Sequence, residues 1–277
     1  LALAEGASWA SEVTLLNTVP SAAAELVALG GLPASVRWVN LAGEPLRRSL
    51  VEALYATGTV EAVFNLYGPS EDTTYSTWVR VCRGEAAEPS IGVPLAGRTA
   101  FVVDAFGGLC PVGVPGELLL GGQGLARGYL GRPALTAERF VPDGWSGAPG
   151  ARLYRTGDRV RWNRGGSLDF LGRLDFQVKV RGHRIELGEI EASLATHPQV
   201  GRSVVIVRED RPGDVRLVAY VVPTRGIASA QTLRDHLRRS LPEYMLPQHF
   251  VNLDTIPLLP NGKVDRHSLP PPQSSEA

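Results

Sequence analysis

Lysine is almost missing from this 277-residue chain: Lys179 and Lys263 stand alone against 26 arginines. A compact ammonium and a planar guanidinium do different work, so the few positions that keep lysine draw attention. Cysteine is as scarce. Cys82 and Cys110 lie far apart with no metal-ligand spacing, which argues against a disulfide framework or thiolate zinc site and leaves them as packing residues. Net charge is absent too, with 28 basic and 28 acidic residues, so no basic field recommends nucleic acid or anionic lipid as a partner. No run approaches the roughly eighteen apolar residues that span a bilayer, and no charged region followed by an apolar stretch opens the chain. A cytoplasmic protein that engages neither nucleic acid nor membrane is expected. The five histidines, His183, His197, His236, His249 and His267, show neither triad nor metal spacing and read as surface or packing residues.

What remains is an ordinary globular composition, 44% hydrophobic and 20% charged, long enough for two domains. Ser21 can cap a helix that runs to Leu29 and stops at Gly30-Gly31, and Leu46, Leu50 and Leu54 recur every four residues on a second helix. Between them Val36 to Asn40 reads as a strand, and the apolar Val60 to Leu66 leads into a Tyr-Gly-Pro turn. This order predicts an α/β layer with a buried parallel sheet over residues 1–88, whose strand-end loops are where ligands sit. From Pro89 to Gly172 short apolar runs alternate with glycine pairs, predicting a β-barrel-like part over 89–173 with a brief helix at Thr136 to Phe140. After Asp175 the spacing predicts a hairpin turning at Arg181-Gly182, and a helix bearing Leu187, Ile190 and Leu194. Two strands, Ser203 to Val207 and Leu217 to Val222, and a helix bearing Leu233, Leu237 and Leu241 follow. Residues 174–269 therefore read as a small α+β domain and the proline-rich 270–277 as linker.

Three motifs carry chemistry. Asn65-Leu66-Tyr67-Gly68-Pro69-Ser70-Glu71 ends an apolar strand in a fixed turn. It admits two readings: a structural turn, or an aromatic platform for a purine with a hydroxyl and a carboxylate for phosphate and Mg²⁺. Tyr154-Arg155-Thr156-Gly157-Asp158 sets a carboxylate after a Thr-Gly turn, as a capped hairpin or as an acceptor for both ribose hydroxyls. Asn261-Gly262-Lys263-Val264-Asp265-Arg266 puts the last lysine on a glycine turn, where it can neutralise charge on a transferring group. Gly121-Gly122-Gln123-Gly124 lacks the glycine and Lys-Ser/Thr spacing of a phosphate cradle and reads as a sheet corner. Arg173 and Asp175 stand at the domain junction, placed either for an interdomain ion pair or for nucleotide contact and a hinge.

Taken in order, these motifs and three further runs, Gly116 to Leu130, Gly172 to Glu191 and Leu241 to Pro247, resemble the adenylation domains of nonribosomal peptide synthetases. The wider family includes acyl-CoA synthetases and luciferase. The resemblance runs from the first residue to about Leu269 and implies two steps: ATP and an amino acid form an aminoacyl adenylate, and the acyl group passes to the phosphopantetheine thiol of a downstream carrier domain. It implies that Tyr67 stacks on adenine, that Asn65 and Gly43-Glu44 line its edge, and that Gly68 and Ser70 belong to the nucleotide loop. It further assigns Glu71 to Mg²⁺, Asp158 to the ribose with help from Arg173, and Lys263 to catalysis. Asp175 becomes the hinge, and Gly182 the tip of the loop that serves thioester formation. Asn40, Ala42, Leu66, Thr74 and Tyr75 would line the side-chain pocket, favouring a small amino acid such as alanine or glycine.

Departures from the family pattern are few. Ser70 stands where threonine is usual and Arg159 where leucine is. Nothing matches the family's glycine-rich phosphate loop or its amine-binding aspartate, so the chain reads as an N-terminally truncated adenylation domain that does not complete adenylation alone. An acyl-CoA or aryl-acid ligase, and a catalytically dead nucleotide- or carrier-binding module, are the competing readings.

Overall fold

Burial alternates along the strand Trp38–Ala42, with Val39 and Leu41 buried and Asn40 and Ala42 half open. This is the period-two signature of a strand with one face on a core. In a computed structural model that describes residues 12–175, 177–180, 182–210, 214–260 and 263–272, this strand, β2, lies between β1 (Leu15–Thr18) and β3 (Ala62–Tyr67), parallel to both. β4 (Thr77–Val81) and β5 (Val93–Pro94) continue the sheet antiparallel. The α/β layer thus extends past residue 88, because β4 needs a partner and Val93–Pro94 provides it. The strand expected at 36–40 lies two residues later, a shift that leaves each side chain on the same face.

Helices α1 (Pro20–Ala28) and α2 (Arg48–Ala56) cover one face of this sheet. Leu50, Val51, Leu54 and Tyr55 of α2 pack with Ala23 and Leu26 of α1 onto Val39, Leu41 and Val63. Each such fully buried aliphatic side chain stabilises by about 1.5–3 kcal/mol. α1 starts with Pro20 at its first turn, a position that needs no backbone donor. Ser21 does not cap it. Instead the Glu44 carboxylate, from the loop after β2, accepts the Ser21 backbone N–H at 2.8 Å and its hydroxyl at 3.0 Å.

The second sheet orders β10 (Leu168–Arg173), β9 (Arg152–Trp162), β7 (Gly116–Gly122) and β6 (Arg98–Val103), all antiparallel, with β8 (Phe140–Pro142) also on β9. It curls without closing, and α3 (Pro133–Arg139) precedes β8. Paired bonds from Ile91 N–H to the Leu168 carbonyl and from Leu168 N–H to the Gly92 carbonyl, both 2.8 Å, join it to the first sheet.

The chain divides into two units, Leu1–Asp175 and Phe176–Ala277. In the second, β11 (Gln177–Val180) and β12 (His183–Glu186) form the hairpin, followed by α4 (Leu187–Ala195), β13 (Val200–Glu209), β14 (Val215–Pro223) and α5 (Ala230–Leu237). Leu187, Ile190 and Leu194 of α4 meet Leu233 and Leu237 of α5 over Val205, Leu217 and Ala219. A third strand, β15 (His249–Asn252), runs parallel to β14. Its mixed pattern of two apolar and two polar residues carried no clear strand signal. Near the chain end Leu269 is buried, its carbonyl accepting from Arg208 at 2.9 Å, while Tyr220 donates to the Pro270 carbonyl at 2.7 Å.

Candidate functional site

Register shifts on both flanks of β9 decide where Asp158 points. Between the pairs Glu117↔Arg159 and Leu119↔Arg155, β9 spends four residues against two of β7, and between Phe170↔Val160 and Arg173↔Asp158, β10 spends three against two of β9. Extra residues of this kind re-aim side chains, and they favour functional sites. Thr156 pins the distortion, its buried hydroxyl donating to the Leu118 carbonyl at 2.7 Å and accepting the Asp158 N–H at 2.9 Å. Gly157 has φ +71, and a Cβ there would lie 2.9 Å from Asp175 Oδ2 and 3.0 Å from Arg173 Nη2. A side chain here would be strained at this φ and would displace both of these side-chain ends, so the motif's glycine lets the junction residues lie against the strand.

The resulting cluster is tightly bonded. Tyr67 donates its hydroxyl to Asp158 Oδ2, and Arg173 donates to Asp158 Oδ1 at 2.9 Å and to both Asp175 oxygens at 2.8 and 2.6 Å. Burial, and then the neighbouring Asp158 carboxylate, push the Tyr67 phenol well above its ordinary range, so it remains a donor. A carboxylate offers about four acceptor positions, and Tyr67 and Arg173 occupy one on each oxygen. The Tyr67 ring is 6% exposed, packed among Ile91, Leu118 and Leu168, so it offers little open face to a purine. Phe170, half-exposed and 6.3 Å from it centroid to centroid, is the aromatic surface beside the cluster. Asn65 is buried with its amide donating to the Ser90 carbonyl at 2.7 Å, and Glu44 is engaged with α1 as described, next to Gly43 at φ +88.

Glu71 sits in a single 3₁₀ turn, Ser70–Asp72, set by the preceding proline. A Cβ on Gly68 would come within 2.5 Å of the Thr74 carbonyl, so only glycine allows the loop to fold back on itself. Ser70 is exposed, and Glu71 accepts a hydrogen bond from the Tyr129 hydroxyl at 2.7 Å on Oε1. Thr73 and Thr74 then take φ of +50 and +70, conformations a non-glycine residue holds only when its surroundings compel it.

The open face of the first sheet gathers the pocket candidates. Asn40 pairs in register with Asn17, and Ala42 with Leu66, so all four side chains emerge on the side opposite the helices. Tyr75 reaches this face by donating its hydroxyl to Asn17 Oδ1 at 2.9 Å. Thr74 adjoins it in the exposed loop.

In the second unit Gly182 is exposed at the hairpin tip with φ +78. Lys263 is exposed too, its carbonyl accepting the Leu259 N–H at 2.7 Å beside a Leu258↔Val264 bridge that closes a turn. Asn261, Gly262 and Arg181 lie outside the described residues.

Comparison with known proteins gives this geometry a family. The AMP-binding enzyme pattern matches residues 6–130 and the AMP-binding enzyme C-terminal domain pattern residues 189–263. The chain belongs to the AMP-binding enzyme family. Within it the relatives are nonribosomal peptide synthetases: the chain is 57% identical to a linear gramicidin synthase of Brevibacillus parabrevis over 265 residues, 95% of this chain and 5% of that protein. To the AMB antimetabolite synthetase AmbB of Pseudomonas aeruginosa it is 53% identical over 96% of this chain and 21% of the relative. A holo NRPS protein with adenylation and PCP domains, bound to a vinylsulfonamide inhibitor, superposes with a TM-score of 0.81 at 31% identity, covering 92% of this chain and 44% of that one. The Vibrio cholerae adenylation domain AlmE, in complex with glycyl-adenosine-5'-phosphate, superposes at 0.79 with 27% identity, covering 91% and 48%. The chain therefore spans about half the length of these two solved proteins and a small share of the synthetases.

Membership in this family of adenylate-forming ligases raises the question of a cation. Among the described residues no three His, Cys, Asp or Glu side chains converge as a metal cage. Mg²⁺ is commonly held by one or two carboxylates plus substrate phosphates, and a single partly exposed Glu71 fits that donor set. Also among the described residues, no helix is long and apolar enough to cross a membrane. Reasoning from sequence missed Phe170, Tyr129 and the buried Asp72, whose carboxylate lies 3.4 Å from Arg98. Asp72 directly follows Glu71 and Tyr129 lies in the Gly116 to Leu130 run, which were the signals available, while nothing in the sequence marked Phe170; none of the three has a spacing that names its partner.

Proposed function

We propose that this AMP-binding family chain is part of an amino-acid-activating ligase of nonribosomal peptide synthesis. The observation that carries the reading is the pair of register shifts flanking β9 that sets the buried Asp158 beside Arg173, which also pairs with Asp175, in a chain whose relatives are peptide synthetases. Asp158 accepts the ribose hydroxyls on its remaining acceptor positions, and Arg173, neutralised by two carboxylates, holds it in orientation. Phe170 presents the aromatic face on the adenine side, with the buried Tyr67 ring behind it and Asn65, Gly43 and Glu44 shaping the edge. Gly68 and Ser70 belong to the loop facing the phosphates, and Glu71 holds Mg²⁺, which when bound would offset phosphate charge.

In the first step an oxygen of the amino-acid carboxylate attacks the α-phosphorus and pyrophosphate leaves. Lys263 donates to the carboxylate and the nucleotide, stabilising the charge that develops. In the second, a carrier-domain phosphopantetheine thiol attacks the acyl carbon and AMP leaves. Asp175 serves as the hinge between these steps and Gly182 as the tip of the thioester-side loop. The solved relatives that join adenylation and PCP domains support a carrier partner. Leu66 on the open sheet face and Tyr75 tethered to Asn17 there support a small side chain, alanine or glycine.

Pyrophosphate exchange by the full-length protein, across a panel of amino, aryl and acyl acids, tests this. Exchange with one or a few small amino acids is expected. Exchange only with aryl or acyl acids would move the chain to the other ligases, and none with any acid would leave a binding module.

A further inference from the structure

Residues 122–130, whose glycines read in sequence as a sheet corner within a run of the family resemblance, strap the turn that carries Glu71. Ala126 donates its N–H to the Glu71 carbonyl at 2.8 Å, Thr73 donates its hydroxyl to the Gly124 carbonyl at 2.6 Å, and Tyr129 donates to Glu71 Oε1 at 2.7 Å. One residue is therefore gripped at its backbone and at its carboxylate by the same short segment. Tyr129 is itself fixed. Its N–H donates to Thr136 Oγ1 at 2.9 Å in α3, its ring meets Phe140 edge-on at 5.7 Å, and its hydroxyl lies 3.5 Å from that of Tyr154.

We propose that Tyr129 is a positioning residue for the cation: its phenol sets the orientation of the Glu71 carboxylate before a metal arrives, so that divalent-cation affinity depends on it. Resting on the reading of Glu71 as the Mg²⁺ ligand, this gives a role to Tyr129, which lies in the Gly116 to Leu130 run but was assigned none from the sequence. Carboxylates that bind metals are themselves held by hydrogen bonds from outer groups, and loss of such a partner typically weakens metal binding about 10- to 100-fold. Phenol suits the task. Its hydroxyl donates to one oxygen of Glu71, and the fixed backbone and ring hold that bond in one direction.

The test is a Mn²⁺ titration of the full-length protein saturated with ATP, followed by the electron paramagnetic resonance signal of free Mn²⁺. Tyr129→Phe, which keeps the ring, is expected to raise the Mn²⁺ dissociation constant roughly tenfold. The Mg²⁺ concentration for half-maximal pyrophosphate exchange rises in step, while the rate at saturating Mg²⁺ holds. Phe140→Leu disturbs the same ring packing without touching the hydroxyl. Should it weaken Mn²⁺ binding as much as Tyr129→Phe at a matched melting temperature, packing would account for the effect and the proposal falls. Glu71→Gln separates the two layers: wild-type Mn²⁺ binding in that variant would overturn the assignment of Glu71 itself, whereas weak binding there with normal binding in Tyr129→Phe would overturn only the role of Tyr129.

Discussion

The two units differ in how deeply they bury their candidate residues. In the first, Asp158, Arg173, Asp175 and Glu71 are tied to one another or to tyrosines, with the Asp158 side chain 5% and that of Arg173 14% exposed. In the second, Lys263 and Gly182 stand on exposed turns, while the packing of α4 and α5 on β13 and β14 lies elsewhere. Groups that must meet a ligand in one orientation gain from being bonded beforehand, since no reorganisation is then needed. A cation that has to reach its target gains from being unburied. The difference predicts that fold and function are entangled in the first unit and separable in the second.

Lys263→Ala is the strongest way to break that contrast. In the full-length protein it should lower the adenylation rate by about 10²- to 10³-fold, while stability moves by no more than about 0.5 kcal/mol, as for other surface substitutions. Pyrophosphate exchange and thermal melting read the two effects. Large unfolding in this variant would show that the second unit entangles fold and function as well. Asp158→Asn is its counterpart, and here stability should drop by about 3 kcal/mol because Arg173 loses a buried partner, with weaker ATP binding besides. A melting curve like that of the parent would mean the cluster is not structural.

Arg98→Met sharpens the comparison through pH. Asp72 is fully buried, and burial raises its carboxyl above the ordinary value, with Ser76 and then Arg98 pulling it down. Removing Arg98 raises it further. A carboxyl raised in the folded state favours folding while it is protonated, so the variant should match the parent near pH 4. It should lose stability as pH rises through the raised value, by about 2–3 kcal/mol at pH 7. Denaturant midpoints at several pH values check this. The smallest effect belongs to the second unit. His197 is buried 4.9 Å from His236, ring centroid to centroid, and burial, then His236 and Arg239, hold it below its ordinary value. A depressed histidine contributes stability above roughly pH 6.5 that is lost as pH falls through its folded value. His197→Gln should flatten the drop in melting temperature between pH 7.5 and 5.5 by about 2 °C.

Much of the architecture was readable from spacing. Leu50 and Leu54 on α2, Leu187, Ile190 and Leu194 on α4, and Leu233 and Leu237 on α5 are buried where their recurrence put them, because helix and strand periods are local properties of the backbone. Ser21 shows the limit. A serine near a helix start suggests a cap, but Pro20 opens the helix and Glu44, 23 residues away, supplies the oxygens. β15 was illegible because its pairing with β14 spans about thirty residues of chain and its own pattern is short.

Sequence by itself determined the family, the order of its motifs and the residue types they bring: a hydroxyl and carboxylate on a Gly-Pro turn, an aspartate after Thr-Gly, a lysine near the end. Each depends on contiguous residues and on turn chemistry that neighbours dictate. Only the tertiary structure decided that Asp158 is aimed by two register shifts, that Tyr67 is buried against it, and that Tyr129 reaches Glu71 across 58 residues of sequence. Side-chain hydrogen bonds act over about 3 Å, and which distant residues come that close is set by sheet register and packing, quantities that no local pattern contains.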